Sequence, residues 1–577
     1  MSKPDEAVHN LPIEDSPCGR AGRRQRPSSS GTRIILGLVL GALIHGPAVL
    51  GEVQPTVLPS QISLRSYLNL VIGYNQSLQA RLLEFEVSRR RYEGERSIYE
   101  PDFVGSYERQ LNRRQNSKEQ SASQRTNLFS EVNNVYNAGL EALIPTGARV
   151  RLGYSLRDLK NNIPISTIFG SFPDPRNEYQ TFAGLSLTQP LLKGGWQGAT
   201  TANMRLAALG SEVAFQDYRK QLMTVISTAE AAYWNLHLAQ EQMHFFDESV
   251  KLAETLVKDG KVRVQAGAGS ELEVLQTQAG LALRQSKLGE ARQKYFEALA
   301  QVRNLAGMPA MGESPAMVEL SDPPALTDQA GAFQDLGMKA LELNPDYLSQ
   351  VKKAAQEDIR IAYAKNQKLP QLDLKASYGL NGLGSSPGDS FDALTSGDFE
   401  SWSVGAELRV PLGGGGRARN ELQAAKLRKQ QALLGIKEIE TQVLNAVETA
   451  LRKVASTRDA VRTYQTVVQF NQDLLKTQLA RLEVGKVEAR KVLEVEADLF
   501  EAKNAVVEAL VQHERALLEL AYVDGTLLGQ RNLDLSRLEV QQKTKLMIRH
   551  AARSEEHFRL IMNDLRERYE RPASPKP

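Results

Sequence analysis

From Ser63 to Leu528 the chain reads as one unit written twice. Asn75 matches Asn344 and Pro101 matches Pro370 at a single offset. Gly267 matches Gly485, Leu275 matches Leu493 and Gly307 matches Gly525 at a second, smaller offset. A constant offset within each block means helices aligned without gaps. The step between the offsets gives the first copy about 50 extra residues, and an internal repeat of this kind sets the architecture before any local reading does. Length alone would allow several domains, but a repeat that runs end to end argues for one integrated body. The expected organisation is residues 1–51, a first repeat over 52–310, a second over 311–530 and a charged extension over 531–577.

Each copy is predicted to run helix, strands, long helix, tight turn, helix. In copy one the first helix covers Ile62 to Ser97 and stops near Pro101, because proline pushes its predecessor out of the α region. The long helix covers Gln197 to Val262, and a turn around Gly267–Gly269 leads into a return helix over Glu271 to Ala306. Copy two repeats this over Asp328–Gln367, Arg417–Leu482 and Glu488–Tyr522. At ~1.5 Å per residue the long helices reach ~100 Å and the flanking ones about half that. Two short helices end to end therefore match one long one, which predicts a tall cylinder. The second return helix keeps a 3-4 spacing through Val492, Val495, Leu499, Ala502, Val506, Ala509, His513, Ala516 and Leu520. The first repeats it less cleanly through Thr277, Leu281, Leu288, Ala291, Tyr295, Ala298, Val302 and Leu305. Such seams are coiled-coil seams and demand partners.

Between the helices the period drops to two. Val404, Ala406, Leu408 and Val410 alternate with Ser403, Gly405, Glu407 and Arg409. Leu372–Asn381 and Arg149–Arg157 alternate in the same way. Apolar groups on one face and charges on the other, in segments of about ten residues, are the pattern of a membrane β-barrel with a wet lumen. A soluble antiparallel sheet over a core gives the same alternation. Little sequence is left over to cover such a sheet, which favours the barrel. In the extra residues of copy one, Tyr136, Ala138, Leu140, Ala142 and Ile144 alternate with polar neighbours. Pro145-Thr146-Gly147 then turns the chain into the Arg149–Arg157 strand. With Asp102–Glu108, Tyr179–Gln189 and the two strands of copy two, six strands are expected.

The only strongly apolar run is Ile34 to Leu50, preceded by Arg20, Arg23, Arg24, Arg26 and Arg33. A basic segment before a short apolar one predicts a secretory signal peptide cleaved near Gly51. The alternative, a membrane anchor, is disfavoured by His45, Pro47 and a length below the ~20 residues a spanning helix needs. Cys18 is the sole cysteine and precedes the run. A cleaved chain is thus expected to lack disulfides, cysteine-held metals and a lipidated cysteine. Net charge is +3, too balanced for strong attraction to nucleic acid.

These residues carry a resemblance. The chain resembles the TolC-type outer-membrane efflux and secretion channels over Ser63–Leu528. Asn344-Pro345-Asp346 opens a helix that ends at Leu369-Pro370-Gln371-Leu372. Leu187-Thr188-Gln189-Pro190-Leu191-Leu192 precedes Gly194-Gly195, and Leu408-Arg409-Val410-Pro411-Leu412 precedes Gly413–Gly416. Arg263-Val264-Gln265-Ala266-Gly267 leads to Glu273-Val274-Leu275, and Arg481-Leu482-Glu483-Val484-Gly485 leads to Val492-Leu493. The resemblance implies a fold of α+β membrane class. In it a trimeric outer-membrane β-barrel is joined to a long periplasmic α-helical coiled-coil barrel. It implies a homotrimer in outer-membrane lipid, a periplasmic adaptor protein and an inner-membrane pump as partners, and no cofactor, metal, nucleic acid or enzymatic activity. Six strands imply about 18 in a trimer if all join the barrel; the alternative is an extra hairpin that projects as a flap. A non-conducting, periplasm-spanning structural coiled-coil protein is the competing reading.

Arg263, Gly267 and Ser270, with Arg481, Gly485 and Val487, match the family's periplasmic tip, which contacts the adaptor. The glycines suit a sharp turn. Glu273 and Glu494 both lie near the start of the return helices, where relatives carry acidic rings, but Lys491 and Arg490 bring positive charge and Val487 replaces a usual arginine. A mixed-charge constriction of Glu273, Lys491 and Glu494 is therefore expected. Gly413–Gly416 lacks a following Lys-Ser or Lys-Thr, so it is a strand-to-helix bend and not a phosphate loop. Trp196 and Trp402 lie near strand ends, as interfacial aromatics do. His237 and His244 lack the carboxylate spacing of a metal site. Gly382–Glu400 is read as an extracellular loop, and Gln541–Pro577 as a charged extension, helical to about Tyr569, that wraps the tunnel or trails from it.

Overall fold

The computed structural model describes residues 58–548 apart from 125, 163–164, 168–169, 173–176, 268–269, 309–316, 328–330, 414 and 485. The signal segment, Cys18, Gly485 and the extension past residue 548 lie outside the described residues.

The repeat is plain in the helices. Copy one holds α1 (Leu64–Tyr74), α2 (Gln76–Arg96), α3 (Ala202–Gln265) and α4 (Glu271–Leu305). Copy two holds α5 (Phe333–Leu343), α6 (Pro345–Gln367), α7 (Gly416–Glu483) and α8 (Ala489–Val523). The leading helix of each copy, expected to be continuous, is broken in two. The break falls at Asn75 in copy one and at Asn344 in copy two, both in extended backbone. Each asparagine caps the next helix: Asn75 Oδ1 accepts from Leu78 N (3.1 Å), and Asn344 Oδ1 from Asp346 N (2.9 Å). Each also donates through Nδ2 to a carbonyl at the end of its own copy's return helix, Leu305 O (3.0 Å) or Val523 O (3.2 Å). The glycine two residues past that carbonyl has positive φ in both copies, and a Cβ would strike backbone in both: Tyr74 O at 2.7 Å from Gly307, Leu343 C at 2.8 Å from Gly525. The residues matched by the sequence repeat thus build one joint twice.

Long helix α3 packs beside α2 and α4, and α7 beside α6 and α8, as the lengths required. The copies also cross-pack, α3 touching α6 and α8. The predicted seam of α8 is buried at every position except the half-buried Val506. In α4, Thr277, Leu288, Ala291, Tyr295 and Val302 are buried. His513, on the α8 seam, is satisfied: its ring nitrogens meet Thr457 Oγ1 (3.1 Å) and Thr327 O (3.4 Å). No described helix is long and apolar enough to cross a membrane.

The other end is a six-stranded antiparallel sheet. Its strands are β1 (Asp102–Gln115), β2 (Leu128–Leu143), β3 (Arg149–Asn161), β4 (Glu178–Pro190), β5 (Gln371–Gly384) and β6 (Glu400–Arg409), in spatial order β6-β5-β4-β3-β2-β1. The extra hairpin lies inside this sheet, with β3 pairing β4 over 11 residue pairs. β1 runs past its expected end at Glu108 because it pairs with β2 through Gln115. The Gly382–Glu400 loop holds a helix, Pro387–Ser396, folded back onto the apolar sheet face. There Thr181 Oγ1 bonds Ser390 O (2.8 Å), and glycine at 382 and 384 leaves room for the helix backbone.

The start of the C-terminal extension, ahead of Gln541, is tied to α3. Arg531 forks onto the buried Glu230 of α3, Arg219 meets Asp534 (3.4 Å), Arg537 donates to Ser211 Oγ (3.0 Å) and Val540 is fully buried.

Candidate functional site

Register divides the sheet into two faces. On one, Phe103, Tyr107, Leu140, Tyr136, Leu152, Leu185, Tyr378, Val404 and Leu408 share successive rows, all of them exposed and uncovered. The opposite face is polar and internally bonded. Arg151 pairs with Glu141 (3.2 Å), Lys375 and Arg409 share Glu407 (2.5 and 3.0 Å), Asn137 donates to Ser106 Oγ (3.1 Å), and Ser377 meets Ser403 (2.8 Å). An apolar face without a core and a wet face opposite is the surface of a membrane barrel seen from both sides. The indole of Trp196 donates to Leu191 O (3.0 Å) just beyond the helix-side end of β4, whereas Trp402 stands on the apolar face near the far end of β6. The two tryptophans therefore mark opposite ends of the strands.

One row of the polar face carries no side chain from β2 to β5, with Val104 and Ser401 at its two ends. Gly139, Gly153, Gly184 and Gly379 stand side by side on β2 to β5. The Phe182 ring lies flat across two of them, so close that a Cβ on Gly184 or Gly379 would come within 2.6 Å of it.

The helical tips lie at the far end of the long helices. Gly267 takes φ +76° after α3, and Ser270 caps α4 by accepting from Leu272 N (3.2 Å). In copy two Lys486 N–H reaches back to Arg481 O (2.9 Å), the six-to-one bond that closes a helix C-terminus. Arg263 and Val487 are half-buried and Arg481 exposed. Lys491 and Glu494 are drawn together (3.1 Å), with Arg490 on the other carboxylate oxygen (3.1 Å). The Lys491 bond, with Arg490 behind it, holds the Glu494 carboxyl below its usual range. Glu273 lies on the other hairpin, half-buried, and shares no hydrogen bond with them among the described residues.

A nearby linkage escaped the sequence. Arg284 of α4 reaches Glu496 of α8 (2.6 Å), Leu493 O (3.1 Å) and Ser249 Oγ of α3 (3.0 Å), nearly buried at both ends of the ion pair. It sits beside the apolar cluster of Leu256, Leu482, Val492 and Leu493. Partners 212 residues apart leave no local spacing signal. His237 is half-buried on α3 with its ring edge-on to Trp234, and Nδ1 has no hydrogen-bond partner among the described residues. Burial pushes its pKa down, against a smaller upward pull from Glu241. No described cluster of His, Cys, Asp or Glu has the makings of a metal site.

A bare-faced sheet joined to a tall helical hairpin pair defines the class: an outer-membrane channel protein with a long periplasmic portion. The family model described as outer membrane efflux protein matches residues 149–308 and 336–526, more than half of the chain, and the chain belongs to that family. The alkaline protease secretion protein AprF of Pseudomonas aeruginosa is 25% identical, the match covering 67% of this chain and 78% of that one. The outer membrane protein TolC of Vibrio cholerae is 21% identical over 64% of this chain and 82% of its own. Among solved structures, CusC superposes with a TM-score of 0.56 at 14% identity, covering 80% of this chain and 92% of that one. The open-state MtrE channel of Neisseria gonorrhoeae gives 0.55 at 18%, covering 82% and 91%.

Proposed function

We propose that three copies of this chain form the exit duct of a tripartite efflux or type I secretion system. The duct passively conducts cargo from an inner-membrane pump across the periplasm to the exterior. The observation that carries this reading is the sheet: wet on one face, apolar on the other and uncovered there outside the Pro387–Ser396 helix, and, among the described residues, unpaired along both β1 and β6. Six strands are too few for a barrel, since the smallest have eight, and three copies supply 18. Long unpaired edges invite pairing with another chain. Here β1 offers 14 residues and β6 ten. The extra hairpin then widens the barrel and is no flap. Residues 1–51 serve as the cleaved export signal.

In this reading the tip residues Arg263, Gly267, Ser270, Arg481, Gly485 and Val487 contact a periplasmic adaptor. Glu273, Lys491 and Glu494 line a mixed-charge constriction. Lys491 and Arg490 offset Glu494, so the passage discriminates less for cations than an acidic ring does; close charges in a narrow, poorly screened passage act strongly on an ion. Relatives named for protease secretion and for cation efflux both match this chain.

The test is the native mass and planar-bilayer conductance of protein extracted from the outer membrane. A trimer that conducts supports the duct. A folded monomer without conductance overturns it and favours the structural coiled-coil reading. Lys491→Asp is expected to move the reversal potential in a salt gradient toward cation preference; no movement would remove Lys491 from the constriction.

A further inference from the structure

We infer that the outward face of β1–β3 carries a binding site for a phosphorylated lipid of the outer leaflet. The rows of that face change character along the strands. From the helix side outward come Phe103, Leu140 and Leu152; then Tyr107, Tyr136 and Leu156, with the two tyrosine rings 5.0 Å apart. Next comes a hydrogen-bonded polar row: Tyr107 Oη donates to Asn134 Oδ1 (3.2 Å) and Asn134 Nδ2 to Asp158 Oδ2 (3.0 Å). Arg109 stands on this row, Lys160 one row further and Arg113 one beyond that, with Leu111 and Val132 between them. Alternation puts all three cations on the face that carries Tyr107 and Leu152, not on the wet face.

Their depth suits a headgroup. A strand rising ~3.3 Å per residue and tilted about 40° climbs ~2.5 Å per residue. An apolar band of ~25 Å that starts at Phe103 therefore ends near Arg113. On this scale Arg113 stands where acyl chains give way to phosphates, while Lys160 and Arg109 stand about 5 and 10 Å deeper, and long basic side chains snorkel toward the headgroup level. Cations above aromatic rings at such a boundary are the arrangement that recognises anionic lipid heads. Among the described residues Arg109 and Arg113 have no acidic partner. Among the described residues of β1–β3 the one carboxylate on this face, Asp158, lies 3.6 Å from Lys160 and is shared with Asn134; Asp389 stands in the same row but on the helix over β5. Three cations against one carboxylate leave net positive charge. Edge pairing of β1 with a neighbouring copy uses backbone groups only, and the Pro387–Ser396 helix on this face lies over β4 and β5, meeting β3 where Phe391 touches Tyr154 (ring centroids 6.5 Å apart). The occupant is thus an amphiphile with phosphates at one end and acyl chains that lie on Leu140, Leu152 and Leu156.

The full chain from the outer membrane is placed in nanodiscs of neutral phosphatidylcholine, and binding of bisphosphorylated lipid A is read by native mass spectrometry. The dephosphorylated lipid and the Arg109→Gln/Arg113→Gln/Lys160→Gln variant run alongside. We expect wild type to retain the phosphorylated lipid about tenfold or more over both controls, since each near-surface cation contributes appreciably. The Arg109→Lys/Arg113→Lys variant should keep it. Equal retention of the dephosphorylated lipid, or by the triple variant, overturns the inference. Should the triple variant fail to assemble, a salt titration of wild type decides, because screening must weaken a phosphate contact; salt-independent retention overturns it. The inference rests on outer-membrane placement and not on conduction: a wild type that conducts but holds no phosphorylated lipid sinks the site and leaves the duct standing.

Discussion

Asn75 and Asn344 each do two tasks, capping one helix and tying it to the end of another. Asn75→Ala or Asn344→Ala should each cost about 1–2 kcal/mol, read as an earlier thermal transition. Asn75→Asp should keep the cap but lose the Nδ2 bond to Leu305, and fall between. The sequence marked Asn344 as a helix start but showed Asn75 only as its match and not as a break, because one residue of extended backbone inside a long apolar pattern leaves the periodicity nearly intact. His237 supplies a pH dependence. Its folded pKa is lowered by burial, so below about 6.5 the unfolded chain takes up a proton that the folded chain refuses. Stability should therefore fall as pH drops from 7 toward 5, and His237→Gln should flatten that slope in a thermal-melt series. The groups facing the ring are Trp234 and Glu241.

Among the elements, the two helical hairpins are joined by the Arg284–Glu496 pair. Removing one partner strands a nearly buried charge. Arg284→Ala should cost about 3–5 kcal/mol in reversible helix unfolding, whereas Arg284→Met with Glu496→Met should recover most of it. Failure of the double variant to recover would mean that the bonds to Ser249 and Leu493 matter more than the charges. Helices and strands were legible in the sequence because their periods, 3.6 and 2, differ enough to survive noise. Less legible were the ends. The outer half of β1 lost its alternation among polar residues, and the Pro387–Ser396 helix hid in a stretch rich in Ser, Gly and Asp. The turn at Gly267 was legible in its glycine, whereas the ion pairs of Glu494 with Lys491 and Arg490 were not, because such spacings on one helix are common to solvated faces.

At the scale of the whole molecule, duplication accounts for more than symmetry. The second copy's strands pair with the first copy's across β4 and β5, and its helices pack on α3, so neither half is a free-standing body. The C-terminal segment closes on α3 through Arg531 and Glu230, adding a third tie that the repeat does not contain. The four-glycine row has a consequence for flow. Resistances along a duct add in series, and the largest one governs the current. Where four of six strands present backbone alone and the Phe182 ring lies close over two of them, side chains project least from the wall, so this height should add little to the total. Gly153 has open space before it, the nearest atom to an added Cβ being Arg151 Nε at 3.7 Å. Gly153→Leu should therefore leave single-channel current unchanged while a comparable change at the tip alters it. A current that fell with Gly153→Leu would relocate the bottleneck from the periplasm to the membrane.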